Sequence, residues 1–318
     1  MPCVLATPAL PKVAVQQLQR EFTVHVLPAS GNVTDIAEVN PQDIRAIATP
    51  GVKTGCGRLT SELFDQLPAL EIISSYSSGI EGIDARAAIA RGIAVAHAPD
   101  VLVEPVADIA LALALDITRG VTAGDRYVRA GRWAAEGNLP LATLAGGRTA
   151  GILGLGRIGK AVATRLQACG MSIAYHGRRP QPAFPYRYYG DLRALAQDSD
   201  LLVVCCPATP ETRNIVNAQV LQALGPQGFL VNVARGSIID EAALIAALRA
   251  GAIAAAGLDV WMNEPNPDAA LIALDNLVIL PHLGGSTLET RQGMFDTMAE
   301  NLRRHFSGQA LLSPFSPD

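Results

Sequence analysis

The feature that most constrains the fold is the stretch Thr149–Gly170, which reads TAGILGLGRIGKAVATRLQACG. Its first five residues, Thr149–Leu153, are mostly apolar and are typical of a short strand. Its second half has the apolar spacing of a helix that ends at Gly170. Between the two segments stand three glycines in the spacing G-x-G-x-x-G, namely Gly154, Gly156 and Gly159.

A glycine turn between a strand and a helix suits a dinucleotide phosphate for physical reasons. One glycine makes the tight bend, one lets the backbone approach a pyrophosphate, and one lets the helix pack on the strand. The start of the helix then offers unpaired N–H groups and the positive end of the helix dipole. We therefore predict a dinucleotide-binding turn at this place.

Composition limits the classes of partner. The chain has 318 residues, of which 49% are hydrophobic and 17% charged, as is typical of a compact protein of two domains. The formal net charge of −4 predicts no basic face for nucleic acid or an anionic membrane. The most apolar helix candidate, Val106–Ile117, is too short to span a bilayer and contains two aspartates. No N-terminal stretch has the pattern of a signal peptide.

The cysteines are odd in number and scattered: Cys3, Cys56, Cys169, Cys205 and Cys206. Their spacing is not that of a metal site, so we expect no bound metal. We expect reduced thiols in a cytoplasmic protein.

The first hundred residues alternate strand-like and helix-like segments. The strand-like runs are Val4–Ala6, Val24–Leu27, Ile44–Thr49, Ile72–Ser75 and Ile93–Ala96. The helix-like segments are Gln16–Glu21, Ser61–Leu67 and Ile83–Arg91. This alternation predicts a parallel sheet with helices on its faces, and hence a small α/β domain.

A second series begins at Thr149, after a long apolar helix predicted over Glu104–Thr118 and an irregular stretch, Ala130–Gly147. About six strands follow: Thr149–Leu153, Ser172–Tyr175, Leu201–Cys205, Phe229–Val233, Ala255–Asp259 and Leu277–Leu280. A full dinucleotide fold has that number. The helical stretch Thr287–Phe306 could return to the first domain. We therefore predict an α/β protein with domains 1–100 plus 288–318 and 101–287.

The turn after the second strand of this series bears on the choice of cofactor. In an NAD site an acidic residue about 20 residues past the glycines binds the ribose 2′-hydroxyl. This chain has no acid there and has Gly177, Arg178 and Arg179 instead. Guanidinium groups pair well with phosphate oxygens, so NADP(H) is predicted in preference to NAD(H). A solvated basic turn is the alternative.

Three residues follow predicted strands at the edge where open α/β sheets bind ligands, namely Arg235, Glu264 and His282. Each has an ordinary structural explanation when taken singly. Together they match the reduction of a 2-oxo acid, in which an arginine clamps the carboxylate and a histidine supplies a proton to the carbonyl oxygen. A carboxylate beside the histidine stabilises and orients the imidazolium.

The segments GLGRIG, NVARGSIIDEAALIAAL, GLDVWMNEP and LPHLGGST, in this order, resemble the D-isomer-specific 2-hydroxyacid dehydrogenases. The resemblance extends back through SSGIEGID and the GRW at Trp133, so it covers nearly the whole chain. YHGRRP, TPETRNIVN and TLETR are most similar to the NADPH-using glyoxylate/hydroxypyruvate reductases and the plant hydroxyphenylpyruvate reductases. The resemblance implies two Rossmann-like domains with parallel sheets and an active site in the cleft between them. It makes 1–100 plus 288–318 a flavodoxin-like substrate domain and 101–287 the dinucleotide domain.

By the same resemblance, Arg235 is a catalytic and substrate-binding residue, His282 is the acid/base, and Glu264 is its partner. Backbone N–H groups of the segment 76–80 would hold the substrate carboxylate. The implied substrate contacts are Ser77, Ser78, Gly79, Ile80, Arg235 and His282. The implied cofactor contacts are Gly154, Leu155, Gly156, Arg157, Ile158, Gly159, Gly177, Arg178, Arg179, Pro207, Thr212, Val233, Ala234, Arg235, Asp259, His282 and Gly284.

The resemblance also implies a homodimer, with the long helix and the Trp133–Gly147 region at the interface. Residues near Leu139 would then approach the partner's active site, although interface packing explains an apolar loop equally well. Ser77 and Ser78 depart from the family's usual glycine–valine–glycine element and leave the pocket's preference open. Glu264 stands where formate dehydrogenases of the family have glutamine, which disfavours formate.

The leading hypothesis is NADPH-dependent reduction of small 2-oxo acids, such as glyoxylate and hydroxypyruvate, to D-2-hydroxy acids with His282 as proton donor. The same chemistry on bulkier acids, such as hydroxyphenylpyruvate or 2-ketogluconate, is the alternative within this class. A dinucleotide-sensing binding protein, similar to corepressors of this fold, is the alternative outside it. A general alcohol or aldehyde oxidoreductase would leave the arginine in the cleft unexplained.

Overall fold

The chain forms two compact units in the computed structural model, which describes residues 1–36 and 39–316. The first unit comprises Met1–Leu102 and Thr287–Asp318, and the second comprises Val103–Ser286. Each unit is built around one parallel sheet, so the predicted α/β class is confirmed. Among the described residues, no helix is long and apolar enough to cross a membrane.

The strands, in chain order, are β1 (Cys3–Ala6), β2 (Thr23–Val26), β3 (Ile44–Thr49), β4 (Ile72–Ser75), β5 (Ala94–Ala96), β6 (Thr149–Leu153), β7 (Ser172–His176), β8 (Arg187–Tyr189), β9 (Leu201–Val204), β10 (Phe229–Asn232), β11 (Ala255–Leu258) and β12 (Leu277–Ile279). The α-helices are α1 (Lys12–Leu18), α2 (Ser61–Asp65), α3 (Ala85–Ala90), α4 (Val103–Arg119), α5 (Val121–Arg129), α6 (Arg132–Glu136), α7 (Arg157–Ala168), α8 (Leu192–Gln197), α9 (Ala218–Leu224), α10 (Glu241–Arg249), α11 (Ala269–Ile272) and α12 (Leu288–Phe306).

The sheet of the first unit has the order β2-β1-β3-β4-β5, and all its neighbouring strands are parallel. Its central strands are apolar without alternation because both faces of the sheet are covered. Leu5 and Ile47 point into one core, and Val4 and Ala46 point into the other. The second core includes apolar side chains of α12, so the C-terminal helix completes this unit.

The sheet of the second unit has the order β12-β11-β10-β9-β6-β7-β8. The chain runs outward from β6 through β7 to β8 and then resumes on the other side of β6 with β9. The strand order therefore reverses between β6 and β9. In open parallel sheets, ligands bind beyond the carboxyl ends of the strands at such a reversal. The glycine turn follows β6 directly at this point.

Besides shifts of one or two residues at the ends of strands and helices, three details of the prediction are wrong. The second sheet has seven strands and not about six, because the three-residue β8 adds an edge strand too short to show a pattern. The stretch Ala130–Gly147 is not wholly irregular, since α6 forms between Gly131 and Gly137, which both have positive φ. The first helix begins earlier than Gln16–Glu21, directly after Pro11, whose fixed φ suits a helix start.

Candidate active site

The glycine turn after β6 has the geometry that a dinucleotide phosphate needs. Gly154 has a φ of +98°, and a Cβ there would lie 2.7 Å from backbone atoms of Cys206. Gly159 lies in α7, where a Cβ would lie 2.1 Å from the carbonyl oxygen of Gly154. A Cβ at Gly156 would meet no atom within 4 Å. The first and third glycines therefore allow the turn and the helix packing, and the second faces open space that a phosphate can enter.

The first turn of α7 is an anion site by its backbone. Gly156 is the N-cap, and a glycine has no side chain that could cap the helix. Arg157 is exposed and Ile158 half-buried at the start of this helix. The N–H groups of a first helical turn and the positive end of the helix dipole together favour a bound phosphate. The donor set thus fits the pyrophosphate of a dinucleotide.

The turn after β7 carries the two arginines and is tied to the glycine turn. Arg178 and Arg179 are exposed, and within the described part of the chain neither forms an ion pair. The hydroxyl of Tyr188 donates to the carbonyl oxygen of Gly177 at 3.1 Å. The side-chain amide of Gln181 donates to the carbonyl oxygen of Leu155 at 2.8 Å. The arginines therefore extend from a turn that hydrogen bonds hold at the Gly177 carbonyl and at the Gln181 side chain.

The segment after β9 lies beside the glycine turn, since β9 and β6 are neighbours in the sheet. It contains Pro207 and Thr212, two of the predicted cofactor contacts. The hydroxyl of Thr212 donates to the carbonyl oxygen of Pro207 at 2.8 Å, which closes this segment into a compact loop. The N–H of Cys205 donates to the carbonyl oxygen of Leu153 at 2.8 Å, so the ladder between the strands continues to the edge of the site.

Arg235 follows β10 on a loop that a buried side chain shapes. Asn232 is fully buried and donates from Nδ2 to the carbonyl oxygen of Arg235 at 3.0 Å. The Oδ1 atom of Asn232 accepts from the N–H of Ala234 at 3.0 Å. Val233 is buried and Arg235 is half-buried. A Cβ at Gly236 would lie 2.1 Å from the carbonyl carbon of Trp261, so this loop packs tightly on the loop after β11.

Glu264 and His282 form a direct pair. The Nδ1 atom of His282 lies 2.8 Å from Oε2 of Glu264. The other carboxylate oxygen of Glu264 accepts from the N–H of Trp261 at 3.3 Å, which orients the acid. The His282 side chain is 48% exposed, and the Glu264 side chain is 23% exposed. The pair therefore leaves Nε2 of the imidazole as the ring nitrogen available to a substrate.

His282 has a φ of +56°, a conformation that a side chain of this size rarely adopts. Its N–H donates to the carbonyl oxygen of Asp259 at 3.1 Å. The carboxylate of Asp259 accepts from the N–H of Leu283 at 2.6 Å and from the N–H of Gly284 at 2.8 Å. Three consecutive residues are thus bound to one aspartate, which holds the histidine in its strained backbone conformation.

Asp259 is 1% exposed, and this burial raises the pKa of its carboxyl group. The two N–H donors lower that pKa and so oppose the effect of burial. A Cβ at Gly284 would lie 3.0 Å from Oδ2 of Asp259, so a larger residue would crowd the carboxylate. In this structure Asp259, expected as a cofactor contact, supports the histidine loop.

The segment 76–80 belongs to the first unit and follows β4. The N–H of Tyr76 donates to the carbonyl oxygen of Thr49 at 3.1 Å. The N–H of Ser77 donates to Oγ of Ser75 at 3.1 Å. The first two N–H groups of the predicted carboxylate-binding segment are therefore already bonded within the unit. This leaves the N–H groups of the segment 78–80 as its candidate donors.

Sequence reasoning missed several supporting residues. Asn232 and Gln181 contribute no reacting group, yet they determine where the arginines lie. For Asn232 a signal was present, since a polar amide in an otherwise apolar central strand must find partners when it is buried. For Gln181 the sequence contains no comparable signal, because its partner is a backbone carbonyl 26 residues away.

The chain is similar to known proteins over most of its length. The family model described as "D-isomer specific 2-hydroxyacid dehydrogenase, NAD binding domain" matches residues 111–284. A hydroxyphenylpyruvate reductase of Plectranthus scutellarioides is 42% identical over 299 residues, which is 94% of each chain. A glyoxylate/hydroxypyruvate reductase A of Arabidopsis thaliana is 42% identical over 298 residues, also 94% of each chain.

A solved structure is similar over nearly the whole chain. It is an NADPH-dependent glyoxylate/hydroxypyruvate reductase from Sinorhizobium meliloti in complex with NADP and malonate. The TM-score is 0.89 and the sequence identity 40%, and the match covers 99% of this chain and 97% of that one.

Proposed function

The chain belongs to the D-isomer-specific 2-hydroxyacid dehydrogenase family, and from that premise we propose that it reduces small 2-oxo acids to D-2-hydroxy acids with NADPH. Glyoxylate and hydroxypyruvate are the proposed substrates. The observation that carries the proposal is the pairing of Glu264 with His282 in the same unit as the Arg235 loop and the glycine turn. This unit combines an acid/base, a carboxylate clamp and a dinucleotide turn.

His282 is the proposed proton donor. Because Nδ1 faces Glu264, the proton passes from Nε2 to the carbonyl oxygen of the substrate. NADPH, when bound, supplies the hydride that reaches the carbonyl carbon, so one hydride and one proton convert C=O into CHOH. The carboxylate of Glu264 orients the ring and stabilises its positive charge. Reduction needs the protonated ring and oxidation the neutral ring, so the preferred direction depends on pH.

Arg235 is the proposed clamp for the substrate carboxylate. A guanidinium group binds a carboxylate through two parallel hydrogen bonds, which fixes the orientation of the adjacent carbonyl. An alcohol or aldehyde without a carboxylate would not need this arginine. The N–H groups of the segment 78–80 are the second proposed set of donors to the same carboxylate. Asn232 supports the first set by holding the Arg235 backbone.

The cofactor preference rests on the turn after β7. Arg178 and Arg179 are exposed beside the glycine turn, and no acidic residue stands in the segment 176–180 to receive a ribose 2′-hydroxyl. Both features favour the 2′-phosphate of NADPH. We also propose a cytoplasmic location, because all five cysteines are free thiols.

Four apolar side chains of one segment support the proposed homodimer. Trp133 is 57% exposed, and Leu139, Leu141 and Leu144 are 42%, 101% and 71% exposed. Large apolar side chains clustered on the surface mark an interface. The segment is therefore the proposed contact with a second copy of the chain, and residues near Leu139 are the proposed approach to the partner's active site.

The experiment that tests the function is the initial rate of NADPH oxidation with glyoxylate, hydroxypyruvate, pyruvate and hydroxyphenylpyruvate, repeated with NADH. We expect fast NADPH oxidation with glyoxylate and hydroxypyruvate, and a clear preference for NADPH over NADH. An Arg235→Lys variant keeps the charge but loses the planar fork of the guanidinium group, so it should raise the KM for the acid. Activity only on hydroxyphenylpyruvate would replace the proposed substrate. Tight NADPH binding without any turnover would favour a dinucleotide sensor.

A further inference from the structure

The carbonyl groups of the segment 77–79 each lie within hydrogen-bond distance of a donor in the first unit. The carbonyl oxygen of Ser77 accepts from the N–H of Ala98 at 3.0 Å. The carbonyl oxygen of Ser78 lies 3.0 Å from Nδ1 of His97. The carbonyl oxygen of Gly79 lies 2.8 Å from the hydroxyl of Ser77, which is also 2.6 Å from the carbonyl oxygen of Pro50. The hydroxyl of Ser77 has one proton, which the carbonyl oxygens of Pro50 and Gly79 share, whereas the carbonyls of Ser77 and Ser78 each have a donor from the segment 97–98.

A hydrogen bond that fixes the direction of a carbonyl group also fixes the direction of the N–H group of the next residue. In a planar trans peptide, the C=O of one residue and the N–H of the following residue point in opposite directions. The three peptide groups concerned are trans. The contacts to the carbonyls of the segment 77–79 therefore set the directions of the N–H groups of the segment 78–80. These are the groups proposed above as donors to the substrate carboxylate.

His97 is the one side chain outside the segment 75–79 that contacts these carbonyls, among the hydrogen bonds of the described residues. Its contact with Ser78 controls the direction of the Gly79 N–H, which is the middle donor of the three. The ring needs a hydrogen on Nδ1 to bind a carbonyl oxygen, because a carbonyl has no proton to donate. His97 is thus a hydrogen-bond donor to the loop.

The C-terminal segment 311–316 holds His97 in turn. The N–H of His97 donates to the carbonyl oxygen of Ser313 at 3.2 Å, and the hydroxyl of Ser313 donates to the carbonyl oxygen of His97. The ring of Phe315 meets the His97 ring edge-on, with centroids 5.6 Å apart. Asn301 of α12 is fully buried, and its Oδ1 accepts from the N–H of Ser313 at 3.2 Å. A continuous series of contacts therefore connects α12, the C-terminal segment and His97.

We propose that His97 is a positioning residue that aims the N–H groups of the segment 78–80 at the substrate carboxylate, and that the C-terminal segment 311–316 keeps it in place. This inference rests on the proposed function, because it assumes a 2-oxo acid as the ligand. It predicts that substrate affinity depends on residues that touch neither substrate nor cofactor. Proton and hydride transfer do not involve His97, so its loss should affect binding of the acid and not the chemical step.

The test compares four variants by steady-state kinetics with glyoxylate and NADPH. His97→Ala should raise the KM for glyoxylate about five- to tenfold, which corresponds to one lost hydrogen bond, with kcat changed less than about twofold. His97→Asn should restore most of the wild-type KM, because the asparagine amide nitrogen is attached at the same position as Nδ1. Phe315→Ala should raise the KM less than His97→Ala does. His25→Ala removes an imidazole from β2 of the same unit and should leave the KM unchanged.

A second readout does not depend on turnover. The inhibition constant of oxamate, an unreactive 2-oxo acid analogue, should rise in His97→Ala by the same factor as the KM. The dissociation constant of NADPH, measured by fluorescence, should stay at its wild-type value. An unchanged KM in His97→Ala, or an equal rise in His25→Ala, would overturn the positioning role while the proposed function stands. A wild-type protein that reduces no 2-oxo acid would overturn the proposed function, and this inference with it.

Discussion

Glu264 and His282 stand 18 residues apart in the chain and meet through a contact of 2.8 Å between Oε2 and Nδ1. The contact settles which imidazole nitrogen is occupied by the carboxylate and which remains for a ligand. It also gives the loop after β11 a fixed partner in the loop after β12. The predictions below begin with this pair.

Replacing His282 by asparagine should remove the proton donor. We expect kcat for glyoxylate reduction to fall about a hundredfold or more, because general acid catalysis contributes at least that factor. Glu264→Gln should cause a smaller loss, since the amide still contacts the ring but no longer stabilises its charge. Stopped-flow single-turnover rates would measure both effects. Wild-type turnover in His282→Asn would refute the assigned role, and an unchanged Tm is the control for intact folding.

Gly156 and Gly159 should respond to substitution in opposite ways. A serine at Gly156 can cap α7, so Gly156→Ser should keep the free energy of unfolding within about 0.5 kcal/mol or raise it. Its hydroxyl and Cβ would occupy the phosphate approach, and NADPH affinity should fall about tenfold or more. Gly159→Ala should instead lower the free energy of unfolding by about 1–3 kcal/mol, because its Cβ collides with the turn. Urea unfolding would measure the stability of the two variants, and titration with NADPH would measure their affinity for the cofactor. Equal changes in both quantities for the two variants would contradict the different roles assigned to Gly156 and Gly159.

The arginine turn should decide between the two nicotinamide cofactors. In a double variant with Arg178→Ala and Arg179→Ala, kcat/KM for NADPH should fall about tenfold or more for each charge-assisted bond lost. The kcat/KM for NADH should remain nearly constant, because it has no 2′-phosphate. Arg193→Ala on α8 removes another exposed arginine of the same unit and serves as the matched control. An equal fall in kcat/KM for NADPH and for NADH would show that the turn does not bind the 2′-phosphate.

Asp259 should make stability depend on pH with a definite sign. Burial raises the pKa of its carboxyl group above the ordinary 3.8, so the folded chain retains the proton to higher pH than the unfolded chain. The folded state then binds more protons between the two pKa values, and its stability falls as the pH rises through the folded pKa. Below pH 3.8 this contribution is fully present.

The variant Asp259→Asn cannot titrate and isolates the effect. The Tm of the wild type minus the Tm of Asp259→Asn should decrease as the pH is raised from about 3.5 to 7. Differential scanning fluorimetry across that range would measure the difference. A difference that stays constant, or that increases with pH, would be inconsistent with a raised pKa.

The exposed leucines should hold the proposed homodimer together. Leu141→Glu and Leu144→Glu place charges in an apolar contact, so we expect dissociation to monomers at micromolar concentration. Sedimentation velocity would report the change in mass. Ile272→Glu introduces the same charge at another exposed apolar position, 57% exposed, and should leave the mass unchanged. A wild-type protein that sediments as a monomer would contradict the proposal directly.

Local patterns in the sequence were sufficient for the central strands. The ranges Ile44–Thr49, Ile72–Ser75 and Thr149–Leu153 are confirmed residue for residue. These strands are buried on both faces, so their apolar runs are continuous and bounded by turn residues. The edge strand β8 was not predicted, because three residues, of which one is exposed, one half-buried and one buried, carry too little pattern.

The four strands from β9 to β12 end one residue earlier than predicted. Cys205, Val233 and Asp259 continue the strand-like pattern, and the N–H group of each still donates to the neighbouring strand, but the strand itself ends at the preceding residue. A local pattern reports burial and cannot report where a ladder of hydrogen bonds ends. At a ligand-binding edge the two differ, because buried residues leave the sheet to form the loops.

The sequence by itself identified the candidate groups, since a glycine turn, two arginines in place of an acid, and an arginine, a glutamate and a histidine after strands are visible as residue types at fixed spacings. Only the tertiary structure decided how these groups are held. Asn232 under Arg235, Asp259 under the His282 loop, Gln181 on the glycine turn and His97 on Ser78 all act through backbone carbonyl and N–H groups. Every residue has such groups, so the sequence carries no mark of which ones a side chain will bind, and only the folded chain brings the partners within hydrogen-bond distance.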